Sequence, residues 1–172
     1  MSLIVRQMKL EEVDLIVDYF YGSSLEFLES LGVDPTRRPP RNQWKEMYEQ
    51  DYALPITKRR SLLLLWELDG AAVGFSTADK VVYGSEAFMH LHLVRPELRQ
   101  RGTGAVAVRK SVDLYFGTLR LKRLFCEPNA FNEAPNRTLQ NAGFRYVKTY
   151  MTVPGLLNFH QAVTRWVIER NA

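Results

Sequence analysis

The sequence predicts one mixed α/β domain spanning residues 1–172, and three observations predict it. Strand-like and helix-like stretches follow one another in the order β-α-α-α-β-β-β-α-β-α-β-β, with the crossovers that parallel pairing needs in the second half. Asp69-Gly70, between two strand-like runs, marks a hairpin turn. A length of 172 residues suits a single hydrophobic core.

Each element has its own signal. Leu3–Gln7 is a short strand. Lys9–Tyr21 is helical, because Leu10, Val13, Ile16, Val17 and Phe20 recur at helical spacing. Leu25–Leu31 is a second helix that Gly32 stops. Asp34–Arg41 holds Pro35, Pro39 and Pro40 and is expected as loop. Trp44, Met47 and Tyr48 mark a third, short helix. Ser61–Leu68 and Ala71–Ala78 are the hairpin strands, and Ala87–Val94 is the next. Gly102–Phe116 is a helix, Leu121–Glu127 a strand, and Asn132–Asn141 a helix ended by Gly143. Phe144–Thr152 is a strand, Pro154-Gly155 breaks the chain, and His160–Arg170 is the last strand.

Composition narrows the function classes. Hydrophobic residues make up 46% and charged residues 24%, values of a globular chain rather than a disordered or fibrous one. The longest purely apolar run, Leu62–Trp66, is far short of the roughly 20 residues of a spanning helix, so no membrane partner is expected. No basic-then-apolar leader opens the chain, and Cys126 is the only cysteine. A cytoplasmic protein without disulfide or Cys-built metal site is expected. Net charge is +4, and five cations crowd one stretch: Arg95, Arg99, Arg101, Arg109 and Lys110. Such a cluster can hold nucleic acid or a small polyanion, or simply solvate a helix face.

The glycines inside that cluster favour a small polyanion. Val94-Arg-Pro-Glu-Leu-Arg99-Gln-Arg101-Gly102-Thr103-Gly104 lies between an expected strand and an expected helix. Gly102 and Gly104 allow positive φ and close approach of a ligand to the backbone. The first amides of a helix lack partners and, with the helix dipole, form an anion site. Arg99 and Arg101 can add charge-assisted bonds. The segment is no P-loop, since no Lys-Ser/Thr pair follows the glycines. Nor is it a dinucleotide fingerprint, since Ala107 stands at the third glycine. Arg-x-Arg-Gly-x-Gly at such a turn fits a pyrophosphate.

Arg99-Gln-Arg-Gly-Thr-Gly104 resembles the Q/R-x-x-G-x-G/A signature of the Gcn5-related N-acetyltransferase (GNAT) superfamily. A second block agrees: Glu127-Pro-Asn-Ala-Phe-Asn132 followed by Leu139-Gln-Asn-Ala-Gly-Phe144 is similar to the family's D/E-P-x-x-x-N…G-F pattern. The resemblance covers most of 61–152. It implies a GNAT-type mixed central sheet with flanking helices, and acetyl-CoA as co-substrate. It puts the pyrophosphate on Arg99, Gln100, Arg101, Gly102, Thr103 and Gly104. It gives Leu93 and Val94 backbone bonds to the pantetheine arm and an amide for the thioester oxygen, and lets Asn132 contact the arm. It leaves room for a homodimer and implies no nucleic-acid partner.

Transfer of an acetyl group to an amine needs a proton acceptor, an oxyanion donor and close placement of the reactants. In Met89-His90-Leu91-His92-Leu93, strand alternation puts His90 and His92 on one face, just before the phosphate turn. Histidine exchanges protons near pH 7. Arylalkylamine acetyltransferases of the superfamily carry a similar His-x-His on this strand, which gives His90 the match. Glu86, on the same face at the strand's start, is a third candidate base. The plain alternative for all three is a structural role. The family's general-acid Tyr is replaced by Leu139, as in the RimJ/RimL type. The acceptor groove is expected from residues 21–60 and 154–161, with Tyr21, Phe27, Trp44, Tyr48, Tyr52, Phe159 and His160 as aromatic candidates.

The expected function is therefore acetyl-CoA-dependent N-acetylation of an amine-bearing small molecule or peptide, by direct attack in a ternary complex. A RimL-like protein N-terminal acetyltransferase and a non-catalytic acyl-CoA-binding sensor or interaction module are the alternatives.

Overall fold

In a computed structural model, residues 2–98 and 101–170 are described. Seven strands form one sheet in the order β1-β2-β3-β4-β5-β7-β6. Their ranges are β1 Leu3–Gln7, β2 Leu62–Leu68, β3 Ala71–Val82, β4 Glu86–Leu93, β5 Arg123–Cys126, β6 Arg145–Thr152 and β7 Gln161–Glu169. Every pairing is antiparallel except β4 with β5. Five α-helices flank it: α1 Asp14–Gly22, α2 Leu25–Ser30, α3 Arg41–Tyr52, α4 Thr103–Leu119 and α5 Glu133–Asn141. The order of elements is the one that the residue pattern predicts.

Helices lie on both faces, so the central strands are covered twice. In β2, Leu62–Trp66 are all buried, which explains an unbroken apolar run where a half-exposed strand would alternate. One core joins Leu62, Leu64 and Trp66 to Val108, Val112 and Tyr115 of α4 and Leu139 of α5. The other joins Leu63, Leu65 and Phe75 to Ile16, Val17 and Phe20 of α1 and Trp44 of α3. The second core is the one that borders the site.

Several boundaries differ from the expected ones. The first helix starts as a 3-10 turn at Leu10–Glu12, where Glu12 bonds the Lys9 amide and pairs with Arg6 before α1 begins. Arg41, expected in the proline-rich loop, opens α3, and that helix runs to Tyr52. A proline immediately before a helix starts it rather than ending it. The largest difference for function is in β3. Its apolar pattern ends at Ala78, but the strand continues to Val82, because β4 offers partners for Asp79 and Val82 across a bulge at Lys80 (φ +48°). Charged residues at a sheet end carry no hydrophobic signal, so Asp79 escapes a reading based on periodicity.

Candidate active site

The site forms where two neighbouring strands part. β4 and β5 pair from Glu86–Arg123 to Met89–Cys126, and there β5 stops while β4 continues beside β3 to Leu93. The Val94 amide donates to the Val73 carbonyl at 2.9 Å. Backbone groups alternate sides along a strand, so the peptide groups of His90 and His92 also face β3. Ser76 Oγ accordingly donates to the His90 carbonyl at 2.8 Å. The peptide groups of Leu91 and Leu93 face the gap that β5 leaves open. The expectation for Val94 is thus corrected: its amide is committed to β3, and Leu91 joins Leu93 on the open edge.

Beyond β4 the chain turns through Pro96–Leu98 and reaches Gly102, whose φ of +74° caps α4. A left-handed residue here favours glycine for its backbone alone, since a Cβ would meet nothing within 4 Å. The first amides of α4, at Thr103 and Gly104, have no intrahelical acceptor. A Cβ on Gly104 would sit 3.4 Å from Thr138 Cγ2, an ordinary van der Waals contact, so the packing of α4 on α5 does not itself demand glycine here. Arg101 is exposed beside the turn. Arg99 and Gln100 lie outside the described residues. Two cations of the cluster are structural: Arg109 donates to the Asn141 carbonyl (3.1 Å) and Lys110 to that of Leu3 (2.6 Å).

A cavity of about 610 Å³ adjoins the gap. Its wall on the strand side is Phe75, Thr77, Asp79, His90, Leu91 and His92, and Cys126, Glu127 and Asn132 border it from the other side of the gap. α3 contributes Trp44, Met47, Tyr48 and Asp51, and the β6–β7 connection contributes 154–158. Of the aromatic candidates, Trp44 and Tyr48 line the cavity; Tyr21 and Tyr52 do not, their hydroxyls donating to the carbonyls of Pro39 and Met8. Phe27, Phe159 and His160 also lie off its wall.

The two histidines share the cavity but not an environment. His90 Nε2 stands 3.2 Å from Asp79 Oδ1, and neither atom has a hydrogen bond to another group among the described residues. Burial is the largest influence on the His90 pKa and pushes it down, but the charge of Asp79 and its contact with the ring, helped by Glu127, together outweigh burial and Lys80, and the net shift is upward. Asp79 likewise is pushed up by burial and pulled below its ordinary value by His90. His92 is boxed by the rings of Tyr19, Phe20 and Phe75 at centroid distances of 5.1, 5.1 and 5.0 Å. Burial, with His90 nearby, pushes its pKa down to about 3. His92 is neutral throughout the working range of an enzyme.

Glu86 is placed elsewhere. It pairs with Arg123 (2.6 Å), does not line the cavity, and lies four strand residues from His90, about 13 Å. Leu139, at the family's tyrosine position, is fully buried in the core. The Cys126 thiol is pushed up by burial and is not ionised near neutral pH. Asp79 is the residue that sequence reasoning missed. No cluster of His, Cys, Asp and Glu fit for a metal ion occurs among the described residues.

Residues 24–144 match the family model described as the acetyltransferase (GNAT) family. The chain belongs to that family. Its fold is shared by solved members at low identity. A spermidine N-acetyltransferase from Vibrio cholerae, in complex with CoA and spermine, superposes with a TM-score of 0.77 at 14% identity, covering 97% of this chain and 95% of that one. RimL, a ribosomal L7/L12 alpha-N-protein acetyltransferase in complex with coenzyme A, gives 0.76 at 11% identity over 98% and 94%. Aminoglycoside acetyltransferase AAC(6')-Ib in complex with coenzyme A gives 0.72 at 17% over 98% and 95%. Among proteins of curated function, none matches this chain by sequence. The parted strands and the glycine-capped helix of this chain are thus those of a GNAT acetyltransferase. No helix among its described residues is long and apolar enough to cross a membrane.

Proposed function

We propose that this acetyltransferase moves the acetyl group of acetyl-CoA to a primary amine held in the cavity, by direct attack with both substrates bound. The observation that carries the reading is the His90–Asp79 pair beside the open edge of β4: a proton acceptor stands next to unpaired backbone donors. The gap fits the co-substrate on three counts. The amides of Leu91 and Leu93 have lost their strand partner, the first turn of α4 offers unpaired amides behind Gly102, and Arg101 is exposed beside them. Acetyl-CoA supplies an activated acyl group. This chain supplies the rest.

A primary amine arrives protonated and must lose a proton to attack. The Asp79 carboxylate opposite Nε2 favours the tautomer with the proton there, which leaves the Nδ1 lone pair to accept. The imidazolium so formed is stabilised by Asp79. Amides on the open edge of β4 can donate to an oxygen that gains charge. Asn132, on the cavity rim, can contact the arm of the co-substrate. The buried single thiol, Cys126, suits the reducing cytoplasm.

The test is direct. Acetyl-CoA should raise the melting temperature, and an amine panel should release free thiol. Arg101→Ala should weaken coenzyme A binding by about 10- to 100-fold, the worth of one charge-assisted bond, and leave pantetheine binding unchanged. Equal loss on pantetheine would remove the phosphate role from the turn. Absence of any acetyl-CoA binding would overturn the reading.

A further inference from the structure

Resting on that reading, we infer that the acceptor is a small amine with one positive charge and an apolar body, an aryl- or alkyl-amine rather than a polyamine, an aminoglycoside or a protein N-terminus. The argument begins with the acidic side chains on the cavity wall, which are Asp51, Asp79 and Glu127. Asp51 accepts from the amides of Arg60 (2.8 Å) and Ser61 (3.1 Å) and from Ser61 Oγ (2.6 Å). Glu127 accepts from Tyr150 Oη on both oxygens (2.8 and 2.9 Å) and from Arg165 Nε (2.7 Å). Both carboxylates already have their donors. Only Asp79 is left to meet an ammonium: its Oδ1 is buried against His90 Nε2 with no hydrogen bond to another group, and the exposure of its side chain lies on its other atoms.

The cations on the same wall work against a second charge. Arg60 is on the rim, and Lys80 is fixed there by its bond to the Pro154 carbonyl (2.8 Å). A polycation would bring two or more ammonium groups into a space with one free carboxylate, and a buried unpaired charge is costly.

Away from Asp79 the wall turns apolar. Phe75 lies four residues from Asp79 on the same face of β3, about 13 Å along the strand. It meets Phe20 (6.4 Å between ring centroids), whose ring stacks on Trp44 at 5.6 Å, and Leu63 and Val33 lie beside them. This end rewards an apolar body.

A roof then limits size. The connection from β6 to β7 is tied across to the segment after α2 by main-chain bonds from the Asp34 amide to the Leu157 carbonyl (2.8 Å) and from the Phe159 amide to the Gly32 carbonyl (3.3 Å). Asn158 and Gln161 side chains donate to that same Gly32 carbonyl (2.9 and 2.8 Å), and Arg37 donates to the Asn158 carbonyl (2.6 Å). A peptide would have to run through this tie, whereas a small amine fits beneath it.

The test measures thiol release with saturating acetyl-CoA and five acceptors: 2-phenylethylamine, n-hexylamine, spermidine, kanamycin and a tetrapeptide with a free N-terminus. The expected result is a kcat/KM for the two monoamines at least 100-fold above the other three. Leu156→Glu places a carboxylate at an exposed wall position and should narrow the hexylamine-to-spermidine ratio by about tenfold. A ratio unchanged by it would show that charge on the wall does not select the acceptor. Preference for spermidine, kanamycin or the tetrapeptide would overturn the class of acceptor while acetyl transfer stood. If no amine releases thiol although acetyl-CoA binds, the transfer reading fails; thermal shift with coenzyme A then decides the class, with 2-phenylethylamine stabilising and spermidine not.

Discussion

His90 and His92 stand two residues apart on one face of β4, yet one lies at a charged end of the cavity and the other in an aromatic box. At the charged end, Asp79 outweighs burial and makes His90 a better base than free histidine. In the box no charge of opposite sign is close, burial and the nearby His90 act in the same downward direction, and His92 loses its basicity. Residue type and strand face are the same. What differs is the neighbour that β3 brings across: Asp79 beside the first, Phe75 opposite the second. A histidine near a reaction centre is therefore a proton acceptor only when something stabilises the cation that it becomes.

The largest expected effect tests the charged end. His90→Gln should lower kcat by roughly 10²- to 10⁴-fold, the range of general-base catalysis, with KM for acetyl-CoA nearly unchanged. Single-turnover acetylation of a good monoamine measures it. If the variant keeps its rate, both histidines are structural and the contrast has no catalytic meaning.

Asp79→Asn sharpens the contrast through pH. Neutral His90 is the active form, so kcat/KM should rise with pH across its pKa, which Asp79 holds above that of a free histidine. Without the carboxylate, burial and Lys80 act downward against Glu127 alone, and burial is the largest influence, so the rising limb should move to lower pH. The plateau should fall by up to about tenfold for each unit of basicity lost. A limb that stays in place would mean that Asp79 does not set the base, whatever its effect on rate.

The smallest effect belongs to the box. His92→Phe keeps the aromatic contacts, gives up the hydrogen bond between His92 Nδ1 and the Tyr19 hydroxyl (3.3 Å), and removes an imidazole that stays uncharged near neutrality. The rising limb should not move, and the loss in kcat should be below about tenfold, under the range of a lost base. Chemical denaturation should show a change of no more than about 1.5 kcal/mol, as for a volume-conserving swap in a core. A large rate loss here with a mild His90→Gln would reverse the two roles.

The sequence carried the element order, the glycine-capped turn and the two-histidine face, because each is local. Hydrophobic period marks a strand or helix within its own residues, a left-handed cap asks for glycine where it stands, and alternation assigns faces without knowing the partner. The length of β3, the partner of His90 and the direction of the Val94 amide were not legible. Each depends on which strand lies alongside: Asp79 is a sheet residue only because β4 pairs with it, and the Val94 amide is committed only because Val73 lies opposite. Glu86 was indistinguishable in sequence from a base, and only Arg123 on the parallel neighbour shows it to be an ion-pair partner. The roof over the cavity joins residues more than 120 positions apart. The sequence by itself therefore determined the order of elements and the strand face that His90 and His92 share, since backbone periodicity encodes both. The tertiary structure decided which histidine can hold a proton and how many charges an acceptor can bring, because a pKa and an unpaired carboxylate are properties of neighbours that only folding supplies.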